Sequence, residues 1–322
     1  MQKLLDKLGH VNPVHILISL SGFIIFLTLA LSRYIMNCRE SGEKISPMGY
    51  VSYTFPFKKW ISISNRIDIV FYAVNKVTGH IVFITNLAMA YFLAKLVTAG
   101  LVKVFGPGWN LAPGWLGLIL AYVFAFVPRD FMRFATHWMQ HKVPLLWEFH
   151  KVHHSAQWLT PLTTERSHPV EDQIDTAAEG LALGLAFGVI RYFYNFSDAE
   201  VAFIAVNSWW VGHLILLGPL QHSHIPFSFG IFDKVFFSPS MHHIHHSSEV
   251  RHWDRNFGNC ISLWDRLFGT FYDAAPGESL TLGLSKSEHF DYENVFSCYL
   301  LPFVKAWRLV RRPVATAATE AA

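Results

Sequence analysis

The 322 residues are 52% hydrophobic and 16% aromatic but only 15% charged, with a formal net charge of +3. A soluble domain carries about 25% charged residues, so lipid rather than water is expected over much of this surface, and the small net charge gives no argument for a nucleic-acid partner. Cys38, Cys260 and Cys298 are dispersed and odd in number, which excludes a disulfide framework and a Cys-x-x-Cys metal spacing.

Val14 to Ser32 is apolar over 19 residues, enough to span a bilayer. A cleavable signal peptide is the rival reading, since Lys3 and Lys7 precede the run, but it is long for a signal core and reads as a retained anchor. Arg33 to Arg66 reads as a basic, loop-like stretch with Pro47 and Pro56. Val77 to Thr98 is a second span, and Gly106-Pro-Gly108 with Pro113-Gly114 punctuates the return. Trp115 to Val127 is short for a full span. Pro128 to Trp147 reads as a helix leaving the membrane. Ala177 to Ile190 and Val201 to Leu220 form a helical hairpin about the Asn195–Asp198 turn. Val314 to Ala322 reads as a frayed tail.

If these spans alternate, residues 33–66, 129–170 and 222–322 share one side and hold 6, 5 and 9 Lys plus Arg. The opposite side holds Lys3, Lys7, Lys103 and Arg191. The positive-inside rule then places the first set on the cytoplasmic face.

That face carries an unusual histidine pattern. The chain has 18 histidines, and most fall between His137 and His246. They cluster as His137-Trp-Met-Gln-His141, His150-Lys-Val-His153-His154 and His242-His243-Ile-His245-His246. Steps of three and four residues stack side chains on one helix face, and neutral imidazole is a good ligand for Zn, Cu, Fe and Ni. Three converging faces therefore point to a cage for two metal ions. His243 lies about 100° from His242 on the helix and reads as a supporting or surface residue. The isolated His10, His80, His252 and His289 read as ordinary polar side chains.

The order His-x3-His, His-x2-His-His, His-x2-His-His resembles the fatty acid hydroxylase superfamily, which includes sterol desaturases and alkylglycerol monooxygenase. Arg166-Ser-His168-Pro169-Val-Glu171, Gln221-His222-Ser223, Ser238-Pro239-Ser240, Asn256-Phe257-Gly258 and the Trp264–Phe271 stretch carry the same resemblance, with His224 standing where asparagine is usual. Around Asn65-Arg66-Ile67-Asp68 the resemblance is slight. The match covers about residues 120–275.

The resemblance implies a metal ligand set of His137, His141, His150, His153, His154, His222, His242, His245 and His246, with no catalytic residue separate from the ligands. Some relatives carry a further histidine at the position of Gly218. His213, nine residues before His222, falls on the opposite helix face unless Pro219 kinks the chain. His168 is the candidate tenth ligand or supporting donor, beside Glu171, Asp265 and His243. Ligating imidazoles usually donate their other N–H to an acid or carbonyl. Among the nearby acids Glu148, Glu165, Glu171, Asp172, Asp175 and Asp265, Glu171 and Asp265 lie in the matching elements. Arg166 is a candidate partner for Glu171.

By the same resemblance the expected protein is all-α. It is a multi-pass transmembrane helical bundle of the endoplasmic reticulum or bacterial inner membrane, with a cytoplasmic histidine-rich helical cap holding a di-metal site. Residues 1–119 would form the anchor and spans, 120–275 the catalytic domain and 276–322 the tail. The implied cofactors are two iron ions, with O2 as co-substrate. The implied activity is hydroxylation or desaturation of a lipid such as a sterol, fatty acyl or ether lipid. No haem-binding or Gly-rich dinucleotide element is present, so electrons come from a separate cytochrome, ferredoxin, reductase or pterin. The alternative is a non-catalytic metal-binding or transport protein, which should carry its ligands inside the spans.

Overall fold

The computed structural model describes residues 13–215, 220–273, 278, 280–285, 288 and 290–311. The side chains of residues 13–21, 80–81 and 209–215 lie outside the description, as do His10, His289, Gly218, Pro219 and the 314–322 tail. Eleven α-helices are described: α1 Pro13–Ser41, α2 Pro47–Thr54, α3 Phe57–Trp60, α4 Ile63–Phe105, α5 Trp115–Lys142, α6 Pro144–His154, α7 Pro169–Phe193, α8 Asp198–Ile215, α9 Pro239–His245, α10 Leu263–Phe268 and α11 Val295–Arg311. Among the described residues there is no sheet, only three isolated bridges.

The 33–66 stretch is not loop-like. α1 continues to Ser41, and α2 folds back against it. The apolar positions Tyr34 and Cys38 recur one helical turn apart and are buried. Tyr34 packs on Tyr50 and Tyr53 at ring distances of 6.1 and 5.8 Å, and the Tyr50 hydroxyl donates to Leu27 O at 2.8 Å. That tertiary contact stabilises helix where polar composition alone suggests coil.

α4 also exceeds the apolar run expected at Val77–Thr98. Its 43 residues extend about 65 Å, twice the ~30 Å hydrocarbon thickness of a bilayer. The Ser62 side chain caps its start by accepting from Asn65 N, and Gly106, at φ +84°, ends it. Val82–Phe105 is apolar enough to cross a membrane; the preceding turns carry the buried polar residues Asn65, Asp68 and Asn75 into the cap.

The short run Trp115–Val127 and the helix expected over Pro128–Trp147 form one helix from Trp115 that ends earlier, at Lys142. The break comes at Val143-Pro144, because proline disfavours helical geometry in the residue before it yet fits the first turn of the next helix. Among the described residues, α5 and α7 are the other two helices long and apolar enough to cross. α4, α5, α7 and α8 share a core of Ala90, Ala94, Ala121, Ala125, Phe187 and Ile204. α4 and α7 approach closely because a Cβ on Gly184 would meet Leu93 at 2.8 Å, and one on Gly188 would meet Val97 at 2.4 Å. The end of α5, α6, α9, α10 and the intervening turns form the cap over one end of this bundle.

Candidate metal centre

α5 leaves the bundle carrying His137 and His141 one turn apart. The Val143-Pro144 break turns the chain so that α6 returns His150, His153 and His154 toward them. α9, only seven residues long and opened by Pro239, presents His242 and His245, with His246 at its C-cap. His222 arrives from the turn after α8. The nine histidines form two adjoining groups. His137, His141, His150, His154 and His245 make one; His153, His222, His242 and His246 make the other. Within each, the candidate ligand atoms all lie within 4.8 Å of one another. The His137 and His245 rings are 4.4 Å apart, and His154 and His246 join the groups at 4.6 Å.

The nitrogen geometry suits cations. His154 Nε2 lies 3.1 Å from both His141 Nε2 and His150 Nε2. In the second group the His153–His222, His222–His242 and His242–His246 Nε2 separations are 3.0, 2.8 and 3.0 Å. Two nitrogens at right angles around one ion, with ~2.1 Å bonds, stand about 3.0 Å apart.

The outer ring nitrogens set the tautomers. His137 Nδ1 faces Phe257 O at 2.9 Å, His153 Nδ1 faces Arg166 O at 3.3 Å and His245 Nδ1 faces Arg255 O at 2.9 Å. A carbonyl only accepts, so these Nδ1 atoms carry hydrogen and the Nε2 lone pairs point inward. His137 Nε2 and His245 Nε2 are buried without a protein partner, which an apolar site would not tolerate cheaply but a metal ion satisfies. Burial pushes His153 down to about 3 and His245 down to about 4, with His154, His242 and His246 also well below the ordinary histidine value. All are neutral at pH 7, the form that binds metal.

The supporting residues divide. Glu171 Oε1 lies 2.8 Å from His150 Nδ1. Asp265 accepts from the Phe257 and Gly258 amides at 2.7 and 2.8 Å and from Thr270 Oγ1 at 2.6 Å, fixing the loop whose carbonyl meets His137. Burial raises Asp265 to about 6, opposed by the Thr270 hydroxyl and those two amides. Gly258 is required there, since a Cβ would meet Phe237 at 2.6 Å. His243 Nε2 donates to Ser223 O at 2.7 Å. His168 stands outside both groups: its Nδ1 accepts from Val170 N, capping α7, and its Nε2 donates to Tyr299 O. With both nitrogens engaged by backbone it has no lone pair to offer an ion.

Arg166 does not pair with Glu171. It turns inward, fully buried, to Asp68 at 3.1 Å, with further bonds to Val152 O, Ser64 O and Ser155 Oγ. This places its carbonyl at His153. His224 donates to Tyr53 O at 2.7 Å. His252 contacts Ser247 Oγ and Glu278. Sequence reasoning missed Asp130, which accepts from Cys260 N, Ile261 N and Trp264 Nε1 at 3.0, 3.2 and 2.9 Å and ties α5 to the loop behind the site. It also missed Arg133, paired with Asp175 at 2.7 Å, and Arg129, paired with Glu179 at 2.5 Å.

Two cavities flank the histidines. One of about 280 Å³ touches members of both groups, and one of about 290 Å³ touches only His141, His154 and His245 of the larger group.

Residues 122–270 match the family described as fatty acid hydroxylase. Ornithine lipid hydroxylase OlsE of Rhizobium tropici is 26% identical over 171 residues, 53% of this chain and 45% of that protein. Alkylglycerol monooxygenase of Caenorhabditis elegans is 25% identical over 192 residues, 59% of this chain and 33% of that protein. A cholesterol 25-hydroxylase-like protein of Danio rerio is 27% identical over 175 residues, 50% of this chain and 59% of that protein. The matched stretch thus spans about half or less of the first two relatives. No solved structure matches the chain.

Proposed function

We propose that this chain, whose residues 122–270 match the fatty acid hydroxylase family, is an O2-dependent lipid hydroxylase whose two histidine groups each hold an iron ion. The observation that carries this reading is the convergence of nine imidazoles in two adjoining groups, with neutral, inward-facing nitrogens. His137, His141, His150, His154 and His245 would hold one ion; His153, His222, His242 and His246 would hold the other. When bound, the pair supplies activation of O2 and insertion of one oxygen into a C–H bond, or desaturation when a second hydrogen is lost.

The protein's own part is positional. Glu171 and the carbonyls of Phe257, Arg166 and Arg255 keep the Nε2 lone pairs inward. Asp130 and Asp265 hold the 256–265 loop against α5. The cap shields the reacting carbon from bulk water. Residues 120–275 form the catalytic unit in this reading. The metal side faces the cytoplasm of an endoplasmic reticulum or bacterial inner membrane, and a separate cytochrome, ferredoxin or reductase supplies two electrons. The relatives' names span ornithine lipid, alkylglycerol and cholesterol 25-hydroxylase-like, which supports a lipid substrate.

The test is metal analysis of purified protein, followed by incubation of membrane lipids with a reductant and ¹⁸O2. Two tightly held iron ions and ¹⁸O in one lipid class are expected. Exchangeable metal, transported across vesicles without oxygenation, would replace this reading by the carrier.

A further inference from the structure

We propose that α11 is an in-plane membrane helix: its outer face lies in the headgroup region of the bilayer that α4, α5 and α7 cross, with Arg308 and Arg311 on anionic lipid. The helix is apolar on two sides. Cys298, Pro302 and Ala306 are buried on the inner one, beside Tyr299, whose ring stacks on Phe71 at 4.5 Å. On the outer one Phe296, Leu300, Phe303, Val304, Trp307 and Val310 are 44–76% exposed. At 100° per residue these six fall within an arc of about 120°, the width of a helix face that is normally covered. Phe296, Phe303 and Trp307, 76, 51 and 56% exposed, alone present roughly 270–460 Å² at ~150–250 Å² per aromatic side chain. Leu300, Val304 and Val310 widen the arc further, to the scale of the largest patch on a soluble monomer or beyond, about 300–600 Å².

Position says what covers this face. α11 packs along α6, a helix of the cap, and meets α7 at its N-cap. There His168 Nε2 donates to Tyr299 O at 3.1 Å, and the Phe303 ring lies 5.3 Å from the His168 ring. α7 begins at the next residue and is apolar enough to cross a membrane, so α11 stands where the cap meets the bilayer. Its 17 residues extend about 26 Å, too short to cross a ~30 Å core. Another part of the cap rim shows the same exposure. Ile231, Phe232, Leu267 and Phe268 are 56–77% exposed, with Phe268 on Phe131 and Phe134 of α5 at ring distances of 6.2 and 5.2 Å.

Charge selects the lipid. Val295–Arg311 carries Lys305, Arg308 and Arg311 and no acid. Lys305 pairs with Asp291 at 2.8 Å. Arg308 and Arg311 border the apolar arc, and Arg311 lies over the Trp307 ring at 4.5 Å. An apolar arc that includes tryptophan and is edged by arginine suits a helix seated about 5–10 Å into the headgroup–acyl boundary of an anionic surface. Seated this way, α11 is a wedge between the bilayer and α6, whose Phe149 packs on Phe303 at 5.2 Å.

The experiment puts a spin label on single cysteines in the full chain, at Phe296→Cys, Leu300→Cys and Val310→Cys, with Leu96→Cys on α4 as the reference within a span. The native Cys38, Cys260 and Cys298 are buried. Each protein is placed one chain per nanodisc, in phosphatidylcholine alone or mixed with phosphatidylglycerol. Depth is read from collisions with O2, which enters lipid, and with a neutral nickel chelate, which stays in water. The three α11 labels should share one shallow depth, roughly 5–10 Å in, with Leu96 deeper. Phosphatidylglycerol should lower nickel collisions at Leu300 severalfold, and Arg308→Gln with Arg311→Gln should abolish that difference. Labels on α11 as open to nickel as in water would overturn the proposal, as would depths stepping by about 21 Å, the helical rise from 296 to 310. So would shielding present in detergent-solubilised dimers and lost at one chain per disc, which means a second copy. Equal collisions in the two lipids would overturn the part given to the arginines. A Leu96 label open to nickel would refute the crossing of α4, and with it the bilayer in which α11 is seated.

Discussion

His150 Nδ1 and Glu171 Oε1 are 2.8 Å apart, both side chains buried, across the junction of α6 and α7. The carboxylate orients the imidazole and raises its basicity, and loss of such a partner typically costs 10–100-fold in metal affinity. Glu171→Ala should therefore release iron to a chelator about 10–100-fold more readily. Glu171→Gln, which keeps one acceptor oxygen, should fall between. Metal retention after graded chelator dialysis reads this; equal retention in all three proteins would remove Glu171 from the site.

His153→Ala and His245→Ala strike different groups. Each should lower bound iron from two toward one per chain and abolish oxygenation, while the protein still inserts, because both histidines lie in the cap rather than in the apolar spans. Iron per chain and the membrane-fraction yield are the readouts. Full metal content with normal turnover in either variant would refute the ligand assignment.

Arg166 and Asp68 form an ion pair with side chains 1% and 0% exposed. Breaking a buried pair by removing one partner costs about 3–5 kcal/mol, whereas replacing both by apolar groups costs far less. Arg166→Met and Asp68→Leu should each lower the thermal midpoint clearly, and the double variant should recover part of the loss. Its carbonyl is the partner of His153, so the single variants should also weaken metal retention in the four-histidine group.

The histidine clusters were legible because helical spacing is a local signal: three- and four-residue steps carry through to the two groups. Much of what orients them was not. The carbonyls of Phe257, Arg166 and Arg255 leave no trace in residue identity. Arg166 meets Asp68 across 98 residues, a pairing no local pattern encodes. The same blindness shortened α4. Asn65, Asp68 and Asn75 break the apolar run, yet the first two bond Thr160, Thr163 and Arg166, and Asn75 donates to the carbonyls of Glu165 and Ser167. Tertiary partners thus sustain helix where the composition turns polar.

Acid should unload and destabilise the cap. Burial holds His153 at about 3 and His245 at about 4, against 6.5 when unfolded. Between these values the unfolded chain binds protons that the native chain does not, so stability rises with pH. It is fully present above about 6.5 and is lost as pH falls toward 4. Thermal unfolding of metal-free protein in detergent should show a midpoint falling steadily over that window. A flat profile would mean these imidazoles are solvated.

His222 and His213 make the last contrast. His222 completes the four-histidine group, 3.0 Å from His153 and 2.8 Å from His242 through Nε2, with Thr164 Oγ1 at 3.1 Å from its Nδ1. His213 sits nine residues earlier on α8, with its side chain outside the described residues. The helical phase expected to separate the two does not apply, because α8 ends at Ile215 and His222 stands in the turn beyond it. His222→Ala leaves three nitrogens in its group and should lose one iron ion and all oxygenation, while the five-histidine group stays loaded. His213→Ala should keep both ions and at most change which lipid is preferred. Iron per chain in the two variants decides the matter: metal lost from the His213 variant and kept in the His222 variant would mean that α8 bends at its end and brings His213 inward in place of His222.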